Sequence, residues 1–186
     1  MKENLTIFLI SGKARHGKTT TANMIKDYFK LKDEDSVVTS YGKYIKMFAK
    51  ELTDWDGFSE PKPREMLQNL GTGVIREKLG KEEFFVKRID EDLDVYNEFV
   101  KAVMLDDVRL PIEMDYFKEK YDNIITMHIN RPNFEDDLSD KARQHRTETA
   151  LDNYKGFDYM IENDGTLDDL RAKLYDLMDK ILKERK

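Results

Sequence analysis

The sequence predicts an α/β protein, a three-layer α/β/α domain built on a mainly parallel five-stranded sheet. Three observations carry that expectation. Short apolar runs alternate along the chain with longer segments of helical period. The first run, Leu5–Ile10, is nearly unbroken in apolar residues, as in a parallel strand buried on both faces. It leads through a loop that ends Gly17-Lys18-Thr19 into a segment of helical pattern.

The elements follow in order. A helix is expected from about Lys18 to Phe29, burying Ala22, Ile25 and Phe29, and the charged loop Lys32–Asp35 ends it. Val37–Ser40 reads as a second strand, followed by a helix over Tyr44–Leu52 with Ile45, Phe48, Ala49 and Leu52 at helical spacing. Asp54–Pro63, with Trp55, Gly57, Phe58 and two prolines, is an excursion. Pro63 suits the first turn of a helix running to about Leu79, and Lys81–Tyr96 is helical again. Lys101–Leu105 is the third strand, Pro111–Lys120 a helix and Asn123–Ile129 the fourth strand. Arg131–Asp140 reads as an exposed loop leading to a short helix near Lys141–Leu151, and Tyr159–Ile161 is a last strand. In the final helix Thr166 is the expected N-cap. Asp168 and Asp169 lie in its first turn, and Lys180, Lys183, Arg185 and Lys186 in its last, matching the helix dipole. Its apolar stripe is Leu167, Leu170, Leu174, Leu177, Met178 and Ile181.

Composition narrows the function. A chain of 186 residues suits one domain with a real core. With 39% hydrophobic and 38% charged residues it reads as globular and soluble rather than disordered. No apolar run approaches the roughly 20 residues of a membrane span. Leu5–Ile10 is too short for a signal peptide and no small-residue cleavage site follows, so a cytoplasmic location is expected. The absence of cysteine excludes disulfides, thiolate zinc sites and a cysteine nucleophile. His16, His128 and His145 are too few and scattered for a histidine-rich metal cage. A net charge of −6 gives no general attraction to nucleic acid or acidic membranes, so an anionic ligand must be met by local cations.

Gly12-Lys13-Ala14-Arg15-His16-Gly17-Lys18-Thr19 matches the phosphate-binding pattern G-x-x-x-x-G-K-[ST] at every required position, between a buried strand and a helix. The glycines let the backbone curl so that successive N–H groups converge on phosphate oxygens, and the helix adds the positive end of its dipole. Lys18 then reaches the β and γ phosphates of a nucleotide, Thr19 offers its hydroxyl to Mg²⁺, and Thr20 continues the cradle. The loop establishes nucleotide binding on a P-loop NTPase fold and leaves the reaction open.

Further segments resemble a family. Arg64-Glu-Met-Leu-Gln68-Asn-Leu-Gly71-Thr72, Asp107-Val-Arg109 with Glu113, His145-Arg-Thr-Glu148 and Asn163-Asp-Gly-Thr-Leu167 follow the phosphate loop in order and span nearly the whole chain. Together they are similar to the deoxynucleoside monophosphate kinases, the phage-type branch of the P-loop nucleotide kinases. The chain departs from that pattern at Thr19, where the family often has aspartate, and Tyr41–Lys46 matches only loosely. The resemblance implies a single kinase domain with a helical acceptor-binding insertion over about 41–96 and a short lid over about 131–150. It implies ATP and Mg²⁺ as cofactors. The expected partners are ATP and a nucleoside monophosphate, with no nucleic acid, no membrane, and a homodimer left open.

The residues themselves fit these roles, each beside a plainer reading. Arg64, Gln68, Thr72 and Arg76 recur every fourth residue and share one helix face, with Gly71 and Gly73 each costing about 1 kcal/mol inside the helix. An acceptor phosphate gripped by Arg64 or Arg76, with Gln68 at the base edge, accounts for both features; so does a solvated face with a glycine break. Lys46 and Arg109 complete the acceptor set. Asp107, with Asp106 as the alternative, stands where a carboxylate can serve Mg²⁺, at the carboxyl end of a strand. Arg131 and Arg143 are the expected lid arginines, with Arg146 nearby. His145 and Glu148 lack the third ligand a zinc site needs. Asn163 and Gly165 form a turn that caps the last helix, and in related kinases the equivalent loop lies beside the adenine. Catalysis is then expected from Lys18, Arg15, Asp107, Arg109, Arg131 and Arg143, by alignment and charge cancellation rather than by a base. A different acceptor such as dephospho-coenzyme A, with Asp106 or Asp107 as base, and a non-catalytic nucleotide switch are the alternatives. No guanine-reading Asn-Lys-x-Asp segment is present.

Overall fold

Alternation of apolar side chains divides each central strand between two cores. Ile7 and Leu9 of β1 (Thr6–Ser11) face one way with Val103 and Leu105 of β3 (Ala102–Val108). Phe8 and Ile10 face the other way with Ala102 and Met104. A sheet buried on both faces needs a layer of helices on each, and the chain supplies them. The computed structural model describes residues 5–59, 62–132, 134, 139 and 143–184.

On one face lie α1 (Lys18–Leu31) and the last helix, α7 (Leu167–Glu184), packed through Ala22, Ile25, Phe29, Leu170, Leu174, Met178 and Ile181. On the other lie α4 (Phe84–Tyr96) and α5 (Pro111–Lys120), which contribute Phe85, Ile89, Leu93, Met114 and Phe117. With β2 (Ser36–Thr39), β4 (Ile124–Asn130) and β5 (Tyr159–Glu162) the sheet has the order β2-β3-β1-β4-β5, and every pairing is parallel. The expected five-stranded three-layer architecture is what the chain adopts. Among the described residues no helix is long and apolar enough to cross a membrane.

The order of strands places a crevice. The chain leaves β1 toward β2 on one side and crosses from β3 to β4 on the other, so the connections diverge at the carboxyl ends of β1 and β3. Between β2 and β3 the chain makes a helical excursion. It comprises α2 (Gly42–Leu52), α3 (Arg64–Gln68), which widens without a break into a π-helix over Asn69–Lys78, and α4. The helix expected from Pro63 to Leu79 is therefore present but wound more loosely over its second part, where two glycines weaken α-helical winding. At Gly71 a Cβ would stand 2.8 Å from Ile45 Cδ1, so α2 packs closely on the π-helix. Leu52, expected on the apolar face of α2, is exposed.

Other expectations shift at the edges. β3 runs three residues beyond Leu105, taking in Asp106 and Asp107. Of the helix expected near Lys141–Leu151 the described residues show helical Arg143, whose N–H donates to the Ser139 carbonyl at 2.9 Å, and a separate turn, α6 (Arg146–Thr149); Lys141 and Ala142 lie outside the described residues, as do Arg185 and Lys186 of the basic last turn. Thr166 caps α7 as expected: its hydroxyl accepts from the Asp169 N–H at 3.2 Å, and the Asp169 carboxylate accepts from the Thr166 N–H at 2.8 Å.

The excursion is tied to the sheet by a buried ion pair. Arg76 of the π-helix donates to Glu113 of α5 at 2.8 Å, and the same carboxylate accepts from the backbone N–H groups of Arg109 (2.7 Å) and Leu110 (3.0 Å). Burial pushes the Glu113 carboxyl up to about 7, against the pull of the Arg76 guanidinium and the Arg109 N–H. The folded state thus holds a proton that the unfolded chain releases near 4.5, so this group's stabilising contribution falls as pH rises from about 4.5 to about 7. Arg76→Met strands the carboxylate. Urea unfolding at pH 8 is expected to show a loss of about 3–5 kcal/mol, shrinking at pH 5.5 as Glu113 becomes neutral.

Candidate active site

The loop between β1 and α1 is shaped by two glycines that no other residue replaces without strain. Gly12 sits at φ 144°, and a Cβ there would lie 2.4 Å from the Ile129 carbonyl oxygen, so the loop is laid directly on β4. Gly17 sits at φ 102°, with a Cβ position 2.7 Å from Asn163 Nδ2. Arg15 also has positive φ, at 62°, and points an exposed side chain outward. Lys18 is buried beneath the loop and donates to the Lys13 carbonyl at 2.7 Å. Burial first, and the Arg109 charge second, lower its ammonium to about 7, while Glu148, Asp107 and Asp106 pull it upward. An incoming polyphosphate supplies the negative charge this site lacks.

Beside the loop, β3 carries one residue too many for β1. Leu9 pairs with Leu105 and Ser11 with Val108, so two residues of β1 span three of β3. The bulge sends two consecutive carboxylates to different partners. Asp106 accepts from the Thr19 hydroxyl at 2.6 Å. Asp107 accepts from the backbone N–H groups of Tyr41 and Gly42, both at 2.8 Å, and so fixes the start of α2. Burial and the adjacent Asp106 push the Asp107 carboxyl above its usual range, with the Gly42 and Tyr41 N–H groups opposing. The expectation favoured Asp107 for the metal. The geometry brings Asp106 to Thr19 instead and engages Asp107 with the helix. A hydroxyl and a carboxylate so placed could offer a hard cation such as Mg²⁺ two oxygen ligands, the rest of its shell being left to water and phosphate.

Across the bulge lies a cleft of about 160 Å³ lined by Gly42, Ile45, Lys46, Lys62, Arg64, Leu67, Gln68, Gly71, Thr72, Arg76, Arg109, Thr147 and Glu148. Every residue expected to hold the acceptor is in that lining: Lys46, Arg64, Gln68, Thr72, Arg76 and Arg109. Arg76 serves it from within the buried ion pair. Lys62 joins the set unannounced by the sequence, because it stands in the proline-flanked excursion rather than on a periodic helix. Burial, with Lys46, Arg64 and Arg109 adding their charge, lowers its ammonium from the ordinary lysine value.

The remaining expected residues divide. Asn163 reaches the phosphate loop, donating to the His16 carbonyl at 3.0 Å, and Gly165 lies in the exposed turn before α7. Arg131 stands next to the loop: its N–H donates to His16 Nδ1 at 3.1 Å and its guanidinium lies 4.5 Å from the Phe134 ring centre. Arg143 is exposed and absent from the cleft lining. Lys13 pairs with Asp152 at 3.2 Å. Residues 133, 135–138 and 140–142 of the expected lid lie outside the described residues. Glu148 is the residue whose position the sequence left unread. It accepts from the Ala14 N–H at 3.1 Å and from the Arg109 guanidinium at 2.5 Å.

Comparison with known proteins agrees with this geometry. A sequence model described as deoxynucleotide monophosphate kinase matches residues 29–174, most of the chain. No curated protein matches the sequence significantly. Among solved structures the chain is similar to a sugar kinase from Janibacter sp. HTCC2649 at 12% identity, covering 94% of this chain and 95% of that one, with a TM-score of 0.56. It is similar to dephospho-CoA kinase from Campylobacter jejuni at 18% identity, covering 95% and 97%, with a TM-score of 0.51. It is similar also to APS kinase from Mycobacterium tuberculosis at 12% identity, covering 95% and 98%, with a TM-score of 0.50. Identities this low establish the shared fold alone.

Gly12→Ala drives a methyl group into a backbone carbonyl that cannot turn aside. The variant is expected to lose nucleotide binding by at least about 100-fold in calorimetric titration, the loop having lifted off β4, and to melt below the parent protein.

Proposed function

The chain belongs to the deoxynucleotide monophosphate kinase family, and from that premise we propose that it moves the γ-phosphoryl group of ATP onto a deoxynucleoside or nucleoside monophosphate. The observation that carries this reading is the position of Arg109. It lines the cationic cleft and also the small recess beside Gly12 and Lys13 of the phosphate loop, so one guanidinium borders both anion sites. Two phosphates brought to those sites meet at Arg109.

Each group has a task in that scheme. The loop N–H groups and Lys18 hold the triphosphate. Lys46, Lys62 and Arg64 hold the acceptor phosphate, while Gln68 and Thr72 offer hydrogen bonds to the nucleoside. Thr19 and Asp106 are the residues that fit Mg²⁺, which when bound neutralises charge on the phosphates. Asp107 acts at one remove, by fixing the N-terminus of α2 from which Gly42 and Lys46 reach the cleft. Asn163 and Gly165 border the donor nucleoside. Arg131 and Arg143, the lid arginines that the resemblance implies, meet the phosphates, and the helical stretch 41–96 closes over the acceptor. Closure excludes water, the competing acceptor.

The acceptor's second phosphate pKa is about 6, so its attacking oxygen is already ionised at neutral pH and asks for no base. This agrees with the carboxylates present: Asp106 and Asp107 are engaged with Thr19 and the α2 N–H groups and neither lines the cleft, and Glu148, which does, is engaged with Arg109 and the Ala14 N–H. A hydroxyl acceptor, such as that of dephospho-coenzyme A, would require one of them free.

ADP formation from ATP and Mg²⁺ across a panel of ribo- and deoxyribonucleoside monophosphates and dephospho-coenzyme A tests the reading. Turnover is expected with particular monophosphates only, and to vanish in Lys18→Ala. Turnover with dephospho-coenzyme A alone would reassign the acceptor, and ATP binding with no turnover would make the protein a binding module.

Lys62 gives the activity a distinctive pH profile. Its ammonium titrates below the usual lysine value, so its charge is lost as pH rises through that lowered pKa. KM for the monophosphate is expected to climb over that range. Lys62→Met should raise KM about 10- to 100-fold at pH 7, the loss of a charged hydrogen bond, and flatten the alkaline limb.

A further inference from the structure

We propose that the Glu148 carboxylate stands, in the substrate-free protein, in the place of a substrate phosphate, and that substrate binding exchanges the one for the other. This rests on the kinase reading above. Glu148 comes from the one-turn α6, yet its side chain is 10% exposed and reaches both halves of the site. Oε2 accepts from the Ala14 N–H, a donor of the phosphate loop, at 3.1 Å. Oε1 accepts from the guanidinium of Arg109 at 2.5 Å. It lines the cationic cleft and also the small recess behind the loop.

A carboxylate is a planar anion with two acceptor oxygens, so it satisfies the donors that a phosphate would satisfy. Two anions cannot share them: a nucleotide phosphate drawn to the loop displaces Oε2 from the Ala14 N–H, and only an acceptor phosphate drawn to Arg109 displaces Oε1 as well. Displacement is energetically accessible, because Arg109 and Ala14 pass from one anion to another without ever being left unpaired. The segment that carries Glu148 stays anchored by Leu151 in the core and by the Thr147 carbonyl, which accepts from Arg109 at 3.4 Å, while its surface pairs, Arg146 to Glu82 at 3.0 Å and Asp152 to Lys13 at 3.2 Å, are weak. The exchange asks only the Glu148 side chain to swing away.

The consequence is a choice of acceptor. Arg109 reaches a transferring phosphoryl group only when Glu148 has let go of it. While Glu148 holds Arg109, bound ATP lacks that guanidinium, and water makes a poor acceptor. Glu148 is therefore a positioning residue that favours phosphorylated acceptors over water.

The test compares the whole protein with Glu148→Gln, which keeps the shape, Glu148→Ala, which removes the group, and Lys18→Ala. Calorimetry measures ATP–Mg²⁺ affinity, and ADP release without any acceptor measures hydrolysis. Removing the resident anion is expected to tighten ATP binding about 10-fold in both Glu148 variants and to raise acceptor-free hydrolysis. A merely structural glutamate cannot produce either gain. A folded Glu148→Gln that binds ATP no more tightly than the parent overturns the proposal, whether or not Glu148→Ala folds. A parent protein that binds ATP no better than Lys18→Ala overturns the kinase reading instead.

Discussion

The site depends on one extra residue in β3. In a regular strand consecutive side chains alternate between faces, and a pair of adjacent carboxylates would serve the two layers symmetrically. Here Leu9 and Ser11 of β1 are matched by Leu105 and Val108, which leaves Asp107 outside the alternation. Val108 returns to the core face of Val103 and Leu105. Asp106 is delivered to Thr19 and Asp107 to the N–H groups that open α2. The phosphate loop and the helical excursion are thus registered to each other through neighbouring residues of one strand.

Around that bulge the molecule solves an electrostatic problem. A chain of net charge −6 gathers Lys46, Lys62, Arg64, Arg76 and Arg109 on one cleft. Cations so close repel, and burial makes the repulsion stronger. Two of the five are matched by carboxylates with low exposure, Arg76 by Glu113 and Arg109 by Glu148. Burial first, and the charges of Lys46, Arg64 and Arg109 after it, lower the Lys62 ammonium. Burial, and then Arg109, do the same to Lys18 under the loop. A site that holds cations at this cost gains most from a multiply charged ligand.

Gly71 illustrates how one signal can carry two causes. Glycines inside a helix imply close approach of something to the backbone, and the sequence pointed to a ligand. Gly71 does line the cleft, but its close neighbour in the fold is Ile45 of α2, and Gly73 meets the Asn69 side chain of its own helix. The π-helix brings Thr72 and Arg76 to the cleft with Arg64 and Gln68 of α3. Spacing was enough to find those four because residues one helical turn apart share a face in either winding. Lys62 and Glu148 had no such marker. One lies in an irregular segment between prolines and the other on a single turn, where no period can develop.

The sequence by itself determined the fold class, the phosphate loop and the periodic part of the cationic cleft. Each of those is written locally, in strand hydrophobicity, in glycines at fixed offsets and in helical spacing. Tertiary structure decided which aspartate meets Thr19, which lysine completes the cleft and where Glu148 points. These choices join residues far apart in the chain: Thr19 to Asp106, Arg109 to Glu148, Ala14 to Glu148. A bulge of one residue or the lie of a single turn reassigns such contacts without leaving any periodic trace in the sequence.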